Sequence, residues 1–171
     1  MSEERDRPEA PERASLAVLW LVPIILVLDQ VTKFIVVKGM DLRESIDVFG
    51  SFVRLTYIHN PGAAFGLKIG GPVLHTVFSL IALGVIGWLF WTVPAGARLL
   101  RSALAMVLGG ALGNIIDRIR IEAGVIDFID VGISHQWRWP IFNVADSFVT
   151  IGIIMLAIGY ARQRDEPDHD A

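Results

Sequence analysis

Four stretches of the chain are each apolar for long enough to cross a lipid bilayer, and this restricts the fold more than any other feature. A hydrocarbon core of ~30 Å takes roughly 20 helical residues to span. The runs cover about residues 16–37 ("LAVLWLVPIILVLDQVTKFIVV"), 72–93 ("PVLHTVFSLIALGVIGWLFWTV"), 99–116 ("LLRSALAMVLGGALGNII") and 142–160 ("FNVADSFVTIGIIMLAIGY"). Inside hydrocarbon every backbone polar group must be bonded within the segment, so runs of this kind become helices. With 53% hydrophobic residues in 171 positions, the chain reads as a small integral membrane protein built as a four-helix bundle.

Four spans put both termini on one side. The long connectors, about residues 38–71 and 117–141, share the other side, and spans two and three are joined by little more than "PAGAR". Apart from Lys33, Lys and Arg divide evenly, seven to a side, with Arg101 at the start of the third run counted on the termini side. The termini side has fewer loop residues, so its positive charge is denser and the termini are expected in the cytoplasm. Residues 1–15 carry five acids against three Arg, and no cleavage site follows the first run, so that run is expected to be retained. The reading divides the chain into a disordered cytoplasmic tail at 1–15, a membrane domain at 16–160 and a cytoplasmic tail at 161–171. Trp88, Trp91, Trp137 and Trp139 fall near span ends or in connectors, as interfacial aromatics do. In the first connector "FVRLTYI" alternates as a strand, and "HNPGAAFG" supplies turn chemistry, so a small sheet on the outer membrane surface is expected.

Ionisable residues in such surroundings are costly and point to function. "DQVTK" sets Asp29 and Lys33 four apart on one helix face, acid before base. "GNIIDR" ends the third span with Asn114, Asp117 and Arg118; "GVIDFID" holds Asp127 and Asp130; "FNVADS" opens the fourth span with Asn143 and Asp146. Topology brings all of these to one depth, near the long-connector interface. Two facing carboxylates cannot both ionise, so one serves as base and the other as acid at the same pH. Such a pair can activate water and protonate a leaving amine without a metal. Asp127 and Asp146 fit this role if the residues between them fold back at the interface.

No cofactor or metal is called for: His59, His75, His135 and His169 lack ligand spacing. The absence of cysteine excludes disulfides, thiolate sites and a cysteine nucleophile, and a net charge of -3 suggests no nucleic acid partner. Structural readings stand beside the functional ones. Asp29 with Lys33 reads as an architectural ion pair, Asp117 with Arg118 as an anchor for the end of span three, and Asp130 as an exposed interface residue. Asn114 and Asn143 read as hydrogen-bonding partners between helices, and Gly109 and Gly113, with Ala105 a turn earlier, as a close helix contact. On the residues alone an aspartic peptidase and a proton-coupled carrier both stay open. A Ser147–Lys33 dyad leaves Asp146 unexplained.

The blocks "DQVTK", "NPGAAFG", "GGALGNIIDR", "GVIDFID" and "FNVADS" stand in the order found in the lipoprotein signal peptidases, bacterial signal peptidase II, and the chain resembles that family over about residues 16–160. The resemblance implies an all-α integral membrane aspartyl protease: a four-transmembrane-helix bundle with a small extracytoplasmic β-cradle and an interfacial helix. It implies the bacterial cytoplasmic (inner) membrane, cytoplasmic termini and an active site near the outer leaflet. It implies a monomer among membrane lipids that cuts lipid-modified prolipoproteins just before a diacylglyceryl-cysteine, uses no cofactor and is inhibited by globomycin. Carried over by motif, the catalytic pair is Asp127 and Asp146, with Asp29, Lys33, Asn60, Gly110, Asn114, Arg118, Asn143 and Ala145 lining or supporting the site. The stretch "IRIEAG" is one residue longer than the family pattern.

Overall fold

The computed structural model describes residues 16–62, 72–134 and 136–164. The tails, the "AAFG" of the second block, His135 and His169 lie outside the described residues. All four apolar runs are helices: α1 (Leu21–Gly39), entered through a 3-10 turn at Ala17–Trp20, α2 (Pro72–Thr92), α3 (Arg98–Arg120) and α4 (Val144–Arg164). Each is long and apolar enough to cross a membrane, and the chain is a multi-pass membrane protein. Helix α4 runs past Tyr160, where the apolar run ends, because Ala161, Arg162, Gln163 and Arg164 are all good helix formers.

Helix α3 is the axis of the bundle. Of its most apolar window 61% is buried, against 6% for α2. Small residues let the neighbours approach: a Cβ on Gly109 would lie 3.0 Å from Ile25 of α1, and one on Gly110 only 2.4 Å from the Ala145 carbonyl oxygen of α4. Lipid offers no hydrophobic drive between helices, so close backbone contact of this kind holds them together. Gly110→Ala is therefore expected to cost about 1–3 kcal/mol, because backbone has to give way. Thermal unfolding in detergent checks this against Gly84→Ala, which meets open space and should cost nothing. Helix α2 turns Val73, Phe78, Ile81, Val85, Trp88 and Trp91 outward. It packs on α3 through Phe90 and Val93 against Leu100 and Leu104. Arg101, counted among the charges on the termini side, is buried there; its guanidinium lies over the Phe90 ring and donates to the Val93 carbonyl at 3.1 and 2.9 Å.

At the other end lies an antiparallel sheet in the order β1 (Ser45–Phe49), β2 (Val53–Asn60), β3 (Val125–Val131). Strand β2 is the one its alternation predicts. Strand β3 is not visible that way, because "VIDFIDV" is buried on nearly every residue and apolar side chains fall on both faces. Gly124, at φ +108°, turns the chain from α3 into β3, where a Cβ would lie 2.1 Å from the Asn60 carbonyl oxygen. No interfacial helix stands among the described elements.

The reading of Asp130 as exposed is wrong. It is 1% exposed and tied into the sheet. One oxygen accepts Arg54 at 3.1 and 2.8 Å and the Thr56 hydroxyl at 2.8 Å; the other accepts Arg138. Burial works against its ionisation, but the bonds from Arg138, Arg54 and Thr56 outweigh it and hold the carboxyl below the usual range. This knot fastens β2, β3 and the loop after β3.

Candidate active site

Beyond β3 the chain returns on itself. Ile129 and Phe142 exchange backbone hydrogen bonds at 2.7 and 3.1 Å, which is the fold-back that a meeting of Asp127 and Asp146 requires. It delivers Asn143, the residue before α4, beside Asp127. Asn143 and Asp146 cap the helix reciprocally: the Asp146 N–H donates to Asn143 Oδ1 at 2.9 Å, and the Asn143 N–H donates to Asp146 Oδ2 at 3.2 Å. Asp146 thus sits in the first turn, where the positive end of the helix dipole faces it.

Asp127 comes from β3 and is 1% exposed. Its Oδ1 accepts Asn143 Nδ2 at 2.7 Å and its Oδ2 accepts Asn60 Nδ2 at 2.9 Å. Asn60 is itself held at the end of β2 by the Gly62 N–H on its Oδ1, at 3.0 Å. On the other side, Asp146 Oδ1 accepts Asn114 Nδ2 at 2.7 Å. The two asparagines are linked, since Asn143 Nδ2 also reaches Asn114 Oδ1 at 2.9 Å. Asn114 Oδ1 takes a second donor, Lys33 Nζ, at 3.0 Å. Two donors on its oxygen fix the amide so that its nitrogen points to Asp146.

Lys33 is buried with an Asp on either side: Asp29 at 2.8 Å and Asp117 at 2.7 Å. The sequence reading of Asp29 with Lys33 as a pair holds, but Asp117 is the third member, and Lys33 rather than Arg118 is its partner. Asp117 also accepts the Ile126 N–H at 3.2 Å, so it does anchor the end of α3, to β3. Asp29 Oδ1 accepts the Ala145 N–H at 2.9 Å, capping α4 from α1. Gly113 makes room, since a Cβ there would lie 2.5 Å from Asp29 Oδ2. Gln30, which sequence reasoning passed over, donates to Asp29, the Gly113 carbonyl and Asp117 at 3.2, 3.3 and 3.2 Å. Its place in "DQVTK" was the available signal.

Arg118 is half-buried, within electrostatic reach of Asp146, Asp127 and Asp117, and forms no ion pair among the described residues. Ser147 donates to the Asn143 carbonyl at 3.0 Å, as helical serines do, and Lys33 is engaged elsewhere, so a Ser–Lys dyad has no geometry here. Burial, and then the nearby Asp146 carboxylate, push Asp127 up to about 7, against the bonds from Asn60 and Asn143 and the charge of Lys33. Near neutral pH the site therefore has a proton to give.

The Signal peptidase (SPase) II family model matches residues 21–162. The lipoprotein signal peptidase of Syntrophus aciditrophicus (strain SB) is 42% identical over 150 residues, covering 84% of this chain and 91% of its own. That of Moorella thermoacetica is 41% identical over 138 residues, covering 81% and 88%. A bacterial membrane enzyme solved by the in meso method at 2.3 Å superposes with a TM-score of 0.80 at 30% identity, over 91% of this chain and 93% of the other.

Proposed function

Because the chain belongs to the signal peptidase II family, we propose that Asp127 and Asp146 are the pair with which it cleaves signal peptides from prolipoproteins. It is a membrane-embedded aspartic endopeptidase. The observation that carries the assignment is the linkage of the two carboxylates through Asn143 and Asn114, which leaves them neighbours held from every side.

The two aspartates divide the work. Asp127, buried on its strand, carries the proton; Asp146, at a helix N-terminus, acts as the base. Water adds to the scissile carbonyl carbon as Asp146 takes its proton and Asp127 gives its own to the carbonyl oxygen. Collapse of the tetrahedral species returns that proton to Asp127, the nitrogen takes the proton from Asp146, and the C–N bond breaks. Arg118 faces the substrate backbone, and Asn60, Asn114 and Asn143 keep the carboxylates in place. Gly110 and Ala145 let α3 and α4 close on the site. The substrate is a diacylglyceryl-modified prolipoprotein cut just before the lipidated cysteine, in the bacterial inner membrane. The termini are cytoplasmic, the sheet forms a cradle over an active site near the outer leaflet, and the enzyme works as a monomer. Purified protein mixed with a lipidated prolipoprotein peptide in detergent is the test: a peptidase releases free signal peptide, whereas a carrier releases none. EDTA should leave the rate unchanged, because the pair activates water without a metal.

The proton on Asp127 sets a pH dependence. Above about 7 Asp127 ionises, the pair loses its acid, and kcat/KM for cleavage should fall. The stability sign is the same. A carboxyl raised in the folded state contributes most at low pH, and that contribution is lost as pH rises through the folded value. Asp127→Asn should therefore gain in melting temperature relative to the native chain as pH rises from 5 to 8. A gap independent of pH would mean that Asp127 titrates normally.

A further inference from the structure

The β2–β3 ribbon has a second face, turned away from Asp127. Directly paired residues of an antiparallel ladder share a face, and successive residues alternate. Ile58 pairs with Asp127 and His59 with Ile126, so His59 and Ile126 point away from the dyad. They line a groove of about 330 Å³ with Tyr57, with Phe34 and Val37 of α1, and with Arg120 at the end of α3. That size suits a bound organic molecule. Lys33 and Asp117 also border it, whereas Asp127, Asp146 and Arg118 do not.

The lining has two chemistries. Phe34 and Val37 are exposed on the outer side of α1, where a membrane helix meets acyl chains. Arg120 is exposed and forms no ion pair among the described residues. Lys38 lies over the Phe34 ring at 5.8 Å and brings a second cation to the same edge. The acid in the lining, Asp117, is engaged by the buried Lys33 at 2.7 Å, so the charges left exposed at the edge are the cations Arg120 and Lys38. Lys38 and Arg120 both stand at span ends on the sheet side, which is headgroup level. A soluble anion would meet only the cations, and a neutral chain only the apolar wall.

We propose that this groove holds one anionic glycerophospholipid, its phosphate against Arg120 and Lys38 and an acyl chain along Phe34 and Val37. The lipid lies across the ribbon from the dyad and is distinct from the substrate. Native mass spectrometry of the full chain in detergent tests this with phosphatidylglycerol, phosphatidylcholine and free glycerol phosphate. One phosphatidylglycerol should be retained about tenfold more tightly than phosphatidylcholine, and glycerol phosphate should not bind. Arg120→Gln with Lys38→Gln should bring the two lipids to parity, and Phe34→Ala should weaken both. Equal retention of the lipids by the native chain, an unchanged preference in the charge variant, or binding of glycerol phosphate alone each overturns the proposal. Should a variant fail to fold, photoactivatable phosphatidylglycerol on the native chain decides. Labelling is expected at residues 34–38, and labelling spread instead over the lipid-facing surface of α2 sinks the idea.

Discussion

Asp127→Asn and Asp146→Asn should each abolish signal-peptide release, by about 10³-fold or more, while the chain stays folded in the membrane. Asparagine keeps the shape and at least one hydrogen bond at either position, so the loss is one of proton chemistry. General acid–base groups contribute roughly 10²–10⁴-fold each, and groups that act as a unit are not additive. The double variant should therefore be little worse than either single one. Cleavage of a diacylglyceryl-modified peptide by purified variants, with melting curves to show folding, is the measurement. Native turnover by either single variant would remove the dyad from the mechanism.

The largest stability effect is expected at Lys33. It is buried between Asp29 and Asp117 and also donates to Asn114. Lys33→Met leaves two carboxylates facing each other without a cation, and breaking a buried ion pair on one side costs about 3–5 kcal/mol. Removing all three charges should cost much less. Asp29→Asn/Asp117→Asn/Lys33→Met is expected to melt well above Lys33→Met alone. Activity should not return with stability, because Asn114 has lost the donor that helps aim its nitrogen at Asp146. If the triple variant unfolds as readily as the single one, the cluster is not held by charge. If it regains full cleavage, Lys33 is purely architectural.

The spans were legible because their lengths are dictated by the bilayer. The carboxylates were legible because charge is rare in such a chain and the family blocks name Asp127 and Asp146. What was hidden is what depends on distant partners. Asp130 reads as a surface residue until Arg54, 76 positions earlier, is brought beside it. Asp117 reads as a helix-end group beside Arg118, yet its cation is Lys33 from another helix. Strand β3 carries no alternation because both its faces are covered, and periodicity reports one-sided burial only. The asparagines gave no local hint that two linked amides would join the aspartates.

The hydrogen bond from the Ala145 N–H to Asp29 joins positions 116 apart, and Asn60 grips Asp127 across 67. A ribosome delivers these partners in order, first span to last. A growing chain that stops short of α4 has Asp127 but not Asp146. On the proposed assignment of Asp127 and Asp146, proteolytic power arrives only with the final span. With that pair as the machinery, the nascent peptidase has no means, during its own biogenesis, of cutting the other half-inserted helices around it.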